Sequence, residues 1–280
     1  MTGPIAVFDS GLGGLTVVRE ILLRLPRAPL VYVGDQARSP YGSRSREEIR
    51  MFSLEILGFL LRFRPALVVA ACNTVSSVAL DLLRRQADVP VLGMVEPGAR
   101  LAARAGAEEI AVLATPVTVA SGVYPRLLYH LRPELSVFSK SCPTWVPLLE
   151  GGAPPERLRR AVCEELGSVR ILWNGSGANG RRRLRAVLLG CTHYPLLAPY
   201  IRECLGEEVT LLNPAEEVAE EVARMYPSSL KGEVLFYTTG DPDFFSRWAG
   251  AVLARPVHVV HLPLSVLQGS EDAPLPGFGG

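Results

Sequence analysis

Short apolar runs recur along the chain, each closing on a small or polar residue, with amphipathic stretches between them. Ile5-Ala6-Val7-Phe8, Leu30-Val31-Tyr32-Val33, Ala66 to Ala71 and Val91-Leu92-Gly93-Met94-Val95 read as buried strands. Leu15, Val18, Ile21, Leu22 and Leu25 fall at helical spacing until Pro26 stops the helix. Ser45 with Glu48 makes a capping box, and Ile49, Phe52, Ile56, Phe59, Leu60 and Phe63 mark one face of the long helix behind it. This aromatic stripe is core, not a cofactor box. A further helix is predicted from about Thr74 to Gln86, and Glu96-Pro97-Gly98 as the first crossing between domains.

The pattern then begins again. Ile110-Ala111-Val112-Leu113 repeats Ile5-Ala6-Val7-Phe8, and Leu135-Ser136-Val137-Phe138 follows 25 residues later, the interval between Ile5 and Leu30. One apolar run ends in Cys72-Asn73-Thr74, and Ala186-Val187-Leu188-Leu189 leads to Gly190-Cys191-Thr192-His193. First strand, second strand and strand-then-cysteine recur in the same order, which predicts two related α/β halves. Strands near Val209–Leu212, Val234–Tyr237 and Val257–Val260 complete the chain, with helices beginning near Pro214 and Asp241.

Composition narrows the class. A chain of 280 residues with a net charge of +1 and interspersed charges calls for neither nucleic acid nor an anionic membrane. No apolar run approaches the roughly 18 residues that span a bilayer, and Met1-Thr2-Gly3-Pro4 lacks a basic leader, so a cytoplasmic protein is expected. The five cysteines (72, 142, 163, 191 and 204) include no C-x-x-C pair, which argues against a disulfide framework or structural zinc; reduced thiols are expected. Cys142, Cys163 and Cys204 lack a strand-end setting and read as structural. The glycine- and proline-rich segment 269–280 is expected to be disordered.

The candidate chemistry lies at strand ends, where open α/β sheets bind ligands. A single cysteine there is more often a small buried apolar residue. Two copies at equivalent positions predict two thiols facing each other across a crevice. Such a pair suits proton removal from carbon on one face and proton return on the other. Asp9-Ser10-Gly11-Leu12-Gly13-Gly14 only superficially matches a dinucleotide loop, because Thr16 replaces the third glycine and Asp9 would repel phosphate. Asp9 reads either as a carboxylate facing the crevice or as an Asx-turn or helix cap. Thr115 to Ser121 could hold a carboxylate or cap a helix, and Glu150 before Gly151-Gly152 reads on its own as solvated.

Asp9-Ser10-Gly11, Pro40-Tyr41-Gly42, Cys72-Asn73-Thr74, Glu96-Pro97-Gly98, Thr115 with Thr118, Glu150 and Gly190-Cys191-Thr192-His193-Tyr194-Pro195 together resemble the glutamate racemases. The resemblance covers nearly the whole chain in order. It implies two pseudo-symmetric three-layer α/β domains with mainly parallel sheets and the active site in the cleft between them: 1–96 with 210–268, and 97–209. It implies interconversion of L- and D-glutamate without pyridoxal phosphate, any other cofactor or metal, supplying D-glutamate for bacterial peptidoglycan. Carried across, Cys72 is the base toward D-glutamate and Cys191 the base toward L-glutamate. Asp9 assists Cys72, while His193 and Glu150 assist Cys191. Asp9, Ser10, Pro40, Tyr41, Gly42, Asn73, Thr74, Thr118 and Thr192 hold the substrate, and a homodimer is expected. The stretch Asn174 to Arg185 departs from the pattern as an insertion; Asn213-Pro214 and the bulky Trp145 depart from it as well. Alternatives are an aspartate racemase, a hydrolase with Cys191 as nucleophile and His193 as base, and a non-enzymatic amino-acid-binding protein.

Overall fold

The computed structural model describes residues 3–174, 185–227 and 229–269. The loop and arginine run at 175–184 and all but the first residue of the expected disordered tail lie outside them. Among the described residues, ten strands form two parallel sheets. In chain order they are β1 (Ile5–Asp9), β2 (Leu30–Gly34), β3 (Leu67–Ala70), β4 (Val91–Gly93), β5 (Glu109–Ala114), β6 (Ser136–Ser141), β7 (Arg185–Gly190), β8 (Thr210–Leu212), β9 (Val234–Thr238) and β10 (Val259–His261).

The first sheet has the order β10-β9-β2-β1-β3-β4 and the second β6-β5-β7-β8. Removing β9 and β10 leaves β2-β1-β3-β4, the same order as the second sheet with each index raised by four. The repeat read from apolar spacing is therefore a repeat of topology, and Cys72 and Cys191 follow its equivalent strands. All pairs are parallel, with Ile5 opposite Leu30 and Leu67 in the first sheet and Ile110 opposite Val137 and Ala186 in the second.

Alternation along each strand feeds two cores per sheet. Ile5 and Val7 pack with Leu15, Val18 and Ile21 of the helix Leu15–Arg24, whereas Ala6 and Phe8 pack with Ile56, Phe59 and Leu60 of the helix Arg46–Leu61. In the second sheet Ala111 and Leu113 face Trp145 and Tyr194, while Ile110 and Val112 face Tyr124 and Leu128. Both sheets thus carry apolar cover on both faces. The Ser45–Glu48 capping box starts the Arg46–Leu61 helix as expected.

Four expectations change. The helix from Thr74 to Gln86 is two, Asn73–Val78 and Leu80–Gln86, broken at Ala79. Glu96-Pro97-Gly98, expected as a crossing, is helical: it lies in the first turn of Val95–Arg104, just after β4 of the first sheet, where proline's missing N–H costs no hydrogen bond, and Val95 and Ala99 already pack in the second sheet's core. Thr210–Leu212 pairs with β7, so this stretch completes the second sheet, and the chain returns to the first only with Pro214–Met225, whose Val218 and Val222 pack with Ile21. Cys163 and Cys204 are joined in a disulfide between the helices Pro155–Asn174 and Ala198–Leu205. Their 41-residue separation on two half-buried helix faces gave no local signal. No described helix is long and apolar enough to cross a membrane.

Candidate active site

The C-terminal ends of β1, β3 and β7 point into one cavity of about 120 Å³, together with the segment after β6. Ser10, Pro40, Tyr41, Gly42, Cys72, Asn73, Thr74, Cys191, Thr192 and His193 line it. Both cysteines are buried free thiols, so the repeat brings two thiols to one cavity.

Their surroundings differ. Cys72 Sγ donates toward Ser10 Oγ at 3.8 Å. Asp9 stands behind it, fully buried, with Oδ2 accepting from Gly14 N at 2.9 Å and Gly11 N at 3.3 Å, while Oδ1 has no hydrogen-bond partner among the described residues. Asp9 therefore makes the Asx-turn, and its carboxylate is buried behind Cys72 rather than facing the cavity as the other reading had it. Burial pushes its pKa up, with Glu150 adding to the rise; His193 and the Gly14 N–H oppose it. Burial and the Asp9 charge in turn push the Cys72 thiol far up, so that this sulfur rests protonated.

Cys191 Sγ lies 3.7 Å from His193 Nδ1, and His193 Nε2 is 2.9 Å from Glu150 Oε1. Burial favours a neutral ring, but hydrogen bonds and charges from Cys191 and Glu150 outweigh it and hold the His193 pKa well above its ordinary value. Burial likewise favours a neutral Glu150, but His193, Ser39 and the Leu12 N–H carry its pKa below the ordinary carboxylate value. An imidazolium thus faces the Cys191 sulfur.

The glycine-rich turn after β1 acquires its reason here. A Cβ on Gly13 would stand 2.4 Å from His193 Nδ1, and one on Gly11 would stand 2.5 Å from Glu150 Oε1. Side chains of the second half occupy the space that other residues would fill. Thr16, the residue that broke the dinucleotide motif, has its hydroxyl 2.9 Å from the Thr192 carbonyl oxygen and ties the same two segments.

A family model described as Asp/Glu/Hydantoin racemase matches residues 14–222. The chain belongs to this racemase family. The glutamate racemase of Oceanobacillus iheyensis is 40% identical over 260 residues, covering 90% of this chain and 92% of its own. The crystal structure of glutamate racemase isoform RacE1 from Bacillus anthracis superposes with a TM-score of 0.84 at 34% identity, covering 94% of this chain and 98% of that one. The glutamate racemase of Francisella tularensis, solved in complex with D-glutamate, superposes with a TM-score of 0.82 at 28% identity, covering 95% and 99%.

Among the residues expected to serve a racemase of this family, Asp9, Glu150 and Thr118 stand behind the cavity wall rather than on it. Thr118 Oγ1 is 3.0 Å from Thr115 Oγ1, which is 2.9 Å from Thr74 Oγ1, so Thr115 and Thr74 face the cavity and Thr118 backs them. Tyr41 presents its ring; its hydroxyl is hydrogen-bonded to Asp35. Asn73 accepts from Tyr124 OH at 2.6 Å, and its Nδ2, the donor end, has no partner among the described residues.

Cys142 is the clearest residue that the sequence misplaced. Its strand runs to Ser141, three residues beyond Phe138, because the polar Ser139-Lys140-Ser141 continues the pairing with β5 at the sheet edge. Cys142 therefore does have a strand-end setting and lines the cavity with Pro143, Val146 and Pro147. Ser43, Pro116 and Ser39, which reaches Glu150, carried no signal of their own.

Proposed function

We propose that this racemase acts on glutamate by two-base proton transfer between Cys72 and Cys191, without a cofactor. The observation that carries the reading is the pair of thiols at equivalent strand ends, lining one cavity with opposite electrostatic partners. Glutamate is the substrate named for the relatives that match over most of the chain, and D-glutamate is the ligand of one of them.

Starting from L-glutamate, the Cys191 thiolate takes the Cα proton. The bonding pair moves into the α-carboxylate, where Asn73 Nδ2 and the hydroxyls of Ser10, Thr74, Thr115 and Thr192 supply donors. The Cys72 thiol then gives its proton to the opposite face of Cα. D-Glutamate leaves, with Cys72 as thiolate and Cys191 as thiol, ready for the reverse reaction. His193 and Glu150 set the proton on the Cys191 side and Asp9 on the Cys72 side. Because burial opposes a thiolate at Cys72, substrate deprotonation there needs Asp9 to accept the thiol proton.

Taken alone, Cys191, His193 and Glu150 have the arrangement of a hydrolase triad. Cys72 on the same cavity, with its own buried carboxylate, has no place in that reaction. Supply of D-glutamate to peptidoglycan, a cytoplasmic location, a homodimer and the division into two domains at about residues 96 and 213 complete the proposal. Separate apolar cores for the two sheets support that division.

The test is incubation of metal-free protein with L-glutamate in deuterated water. Solvent deuterium at Cα with decay of optical rotation to zero is expected, and loss of both in Cys72→Ser and Cys191→Ser. Glutamate that keeps its α-proton and handedness refutes the substrate assignment, and aspartate is then the next substrate to try.

A further inference from the structure

Glu150 does not touch the cavity, and two of its three hydrogen-bond partners come from the opposite half of the molecule. Its Oε1 accepts from Leu12 N at 3.3 Å and meets His193 Nε2 at 2.9 Å, and its Oε2 accepts from Ser39 Oγ at 2.8 Å. Ser39 is half-buried at the end of the short 3-10 turn Gln36–Arg38, one residue before the cavity-lining Pro40-Tyr41-Gly42.

That segment is anchored with unusual care. Asp35 is fully buried, and its carboxylate accepts from Arg38 Nε at 2.6 Å, from Thr239 Oγ1 at 2.8 Å and from Tyr41 OH. The Arg38 guanidinium also pairs with Glu55 and stacks 4.1 Å over the Phe52 ring. Ser39 sits between two residues held by the same carboxylate, so its hydroxyl is delivered to Glu150 with little conformational freedom to lose.

We infer that Ser39 is a positioning residue for the Cys191 side of the reaction: by holding Glu150 it orients His193 against the Cys191 sulfur. The inference rests on the two-thiol reading and adds to it a dependence of one base on the opposite half. Glu150 draws its full set of donors from both halves together. The other titratable groups facing this relay are Asp9, which interacts with both Glu150 and His193, the buried Tyr32, which feels the charges of Asp9, Cys72 and Glu150, and the thiols Cys72 and Cys191.

Ser39→Ala and Ser39→Thr test it in the full chain. Loss of one charge-assisted hydrogen bond of three is expected to lower kcat/KM about 10-fold. Ser39 helps hold the Glu150 pKa down, so its removal moves the acid limb of the kcat/KM profile to higher pH. A less ionised Glu150 also lowers the titration midpoint of His193, read by NMR among the four histidines. Ser39→Thr keeps a hydroxyl and should restore both profiles. A Ser39→Ala enzyme with unchanged profile and unchanged His193 midpoint overturns the inference, whatever its rate. A wild type that exchanges no α-proton overturns the two-thiol reading instead.

Discussion

Asp9 offers the sharpest separation of architecture from chemistry, because its two oxygens have different tasks. Oδ2 caps the turn after β1 through Gly14 N and Gly11 N, and Oδ1, unpartnered among the described residues, is the oxygen the proposed mechanism assigns to Cys72. Asp9→Asn can keep an oxygen on the two N–H groups while losing the acid. Asp9→Ala removes the acceptor altogether. Leaving one good and one long buried hydrogen bond unmade costs about 2–4 kcal/mol, so the alanine variant should be destabilised by that amount in urea unfolding and the asparagine variant by about 1 kcal/mol or less. Both should lose about 100-fold in kcat/KM, the lower end of general acid–base effects, since Asp9 acts through Cys72.

The free energies of enantiomers are equal, so any loss in kcat/KM must appear equally from L- and D-glutamate. Direction shows instead in the isotope effect. In the proposed mechanism Cys72 removes the Cα hydrogen of D-glutamate, so a slowed Cys72 step should express the α-deuterium effect on kcat/KM more fully from D- than from L-glutamate. The assay is competitive racemisation of protiated and α-deuterated substrate, begun from each enantiomer. Equal isotope effects from both sides, or an Asp9→Asn enzyme within 3-fold of wild type, would refute the assignment of Asp9 to Cys72.

Three further outcomes follow from the geometry. His193 has a folded pKa raised well above its ordinary 6.5, so its ion-pair stabilisation is complete below that unfolded value and is lost as pH rises through the folded one. The unfolding free energy of wild type over His193→Asn should therefore be greatest in mild acid and shrink on the alkaline side; a pH-independent difference would show a neutral ring. Gly13→Ala places a methyl against His193 and Thr192, with contacts of 2.4 to 2.6 Å to both, and should cut kcat/KM by at least about 100-fold while circular dichroism stays native. Protein purified without reductant should titrate three thiols when denatured, Cys72, Cys142 and Cys191, and five after reduction. Cleaving the Cys163–Cys204 bond should lower stability by about 2–4 kcal/mol with the active site intact, and five thiols before reduction would contradict the pairing.

What could be read in the sequence was what repeats or alternates locally. Ile5-Ala6-Val7-Phe8 and Ile110-Ala111-Val112-Leu113 announce their strands because both faces of each sheet are covered, and the two strand-cysteine junctions announce the site. Ser136–Ser141 is half exposed and polar, so its last three residues gave no strand pattern and Cys142 was set apart from the cavity. Glu150 looked solvated because its partners lie 43, 111 and 138 residues away, and no local pattern encodes such distances. The family resemblance, not periodicity, brought Glu150 into the site. Ser39 and Cys163–Cys204 needed the fold itself.

The tight turn after β1 also sets a limit on how this enzyme can change. Gly11 and Gly13 lie against Glu150 and His193 as two flat faces pressed together, so neither half can acquire bulk at this seam without the other giving way. Variation that repacks the outer helices leaves the seam alone, but a single added methyl group on either glycine reaches Glu150 or His193 directly. The two copies of the fold, free to diverge elsewhere, are bound to change together here.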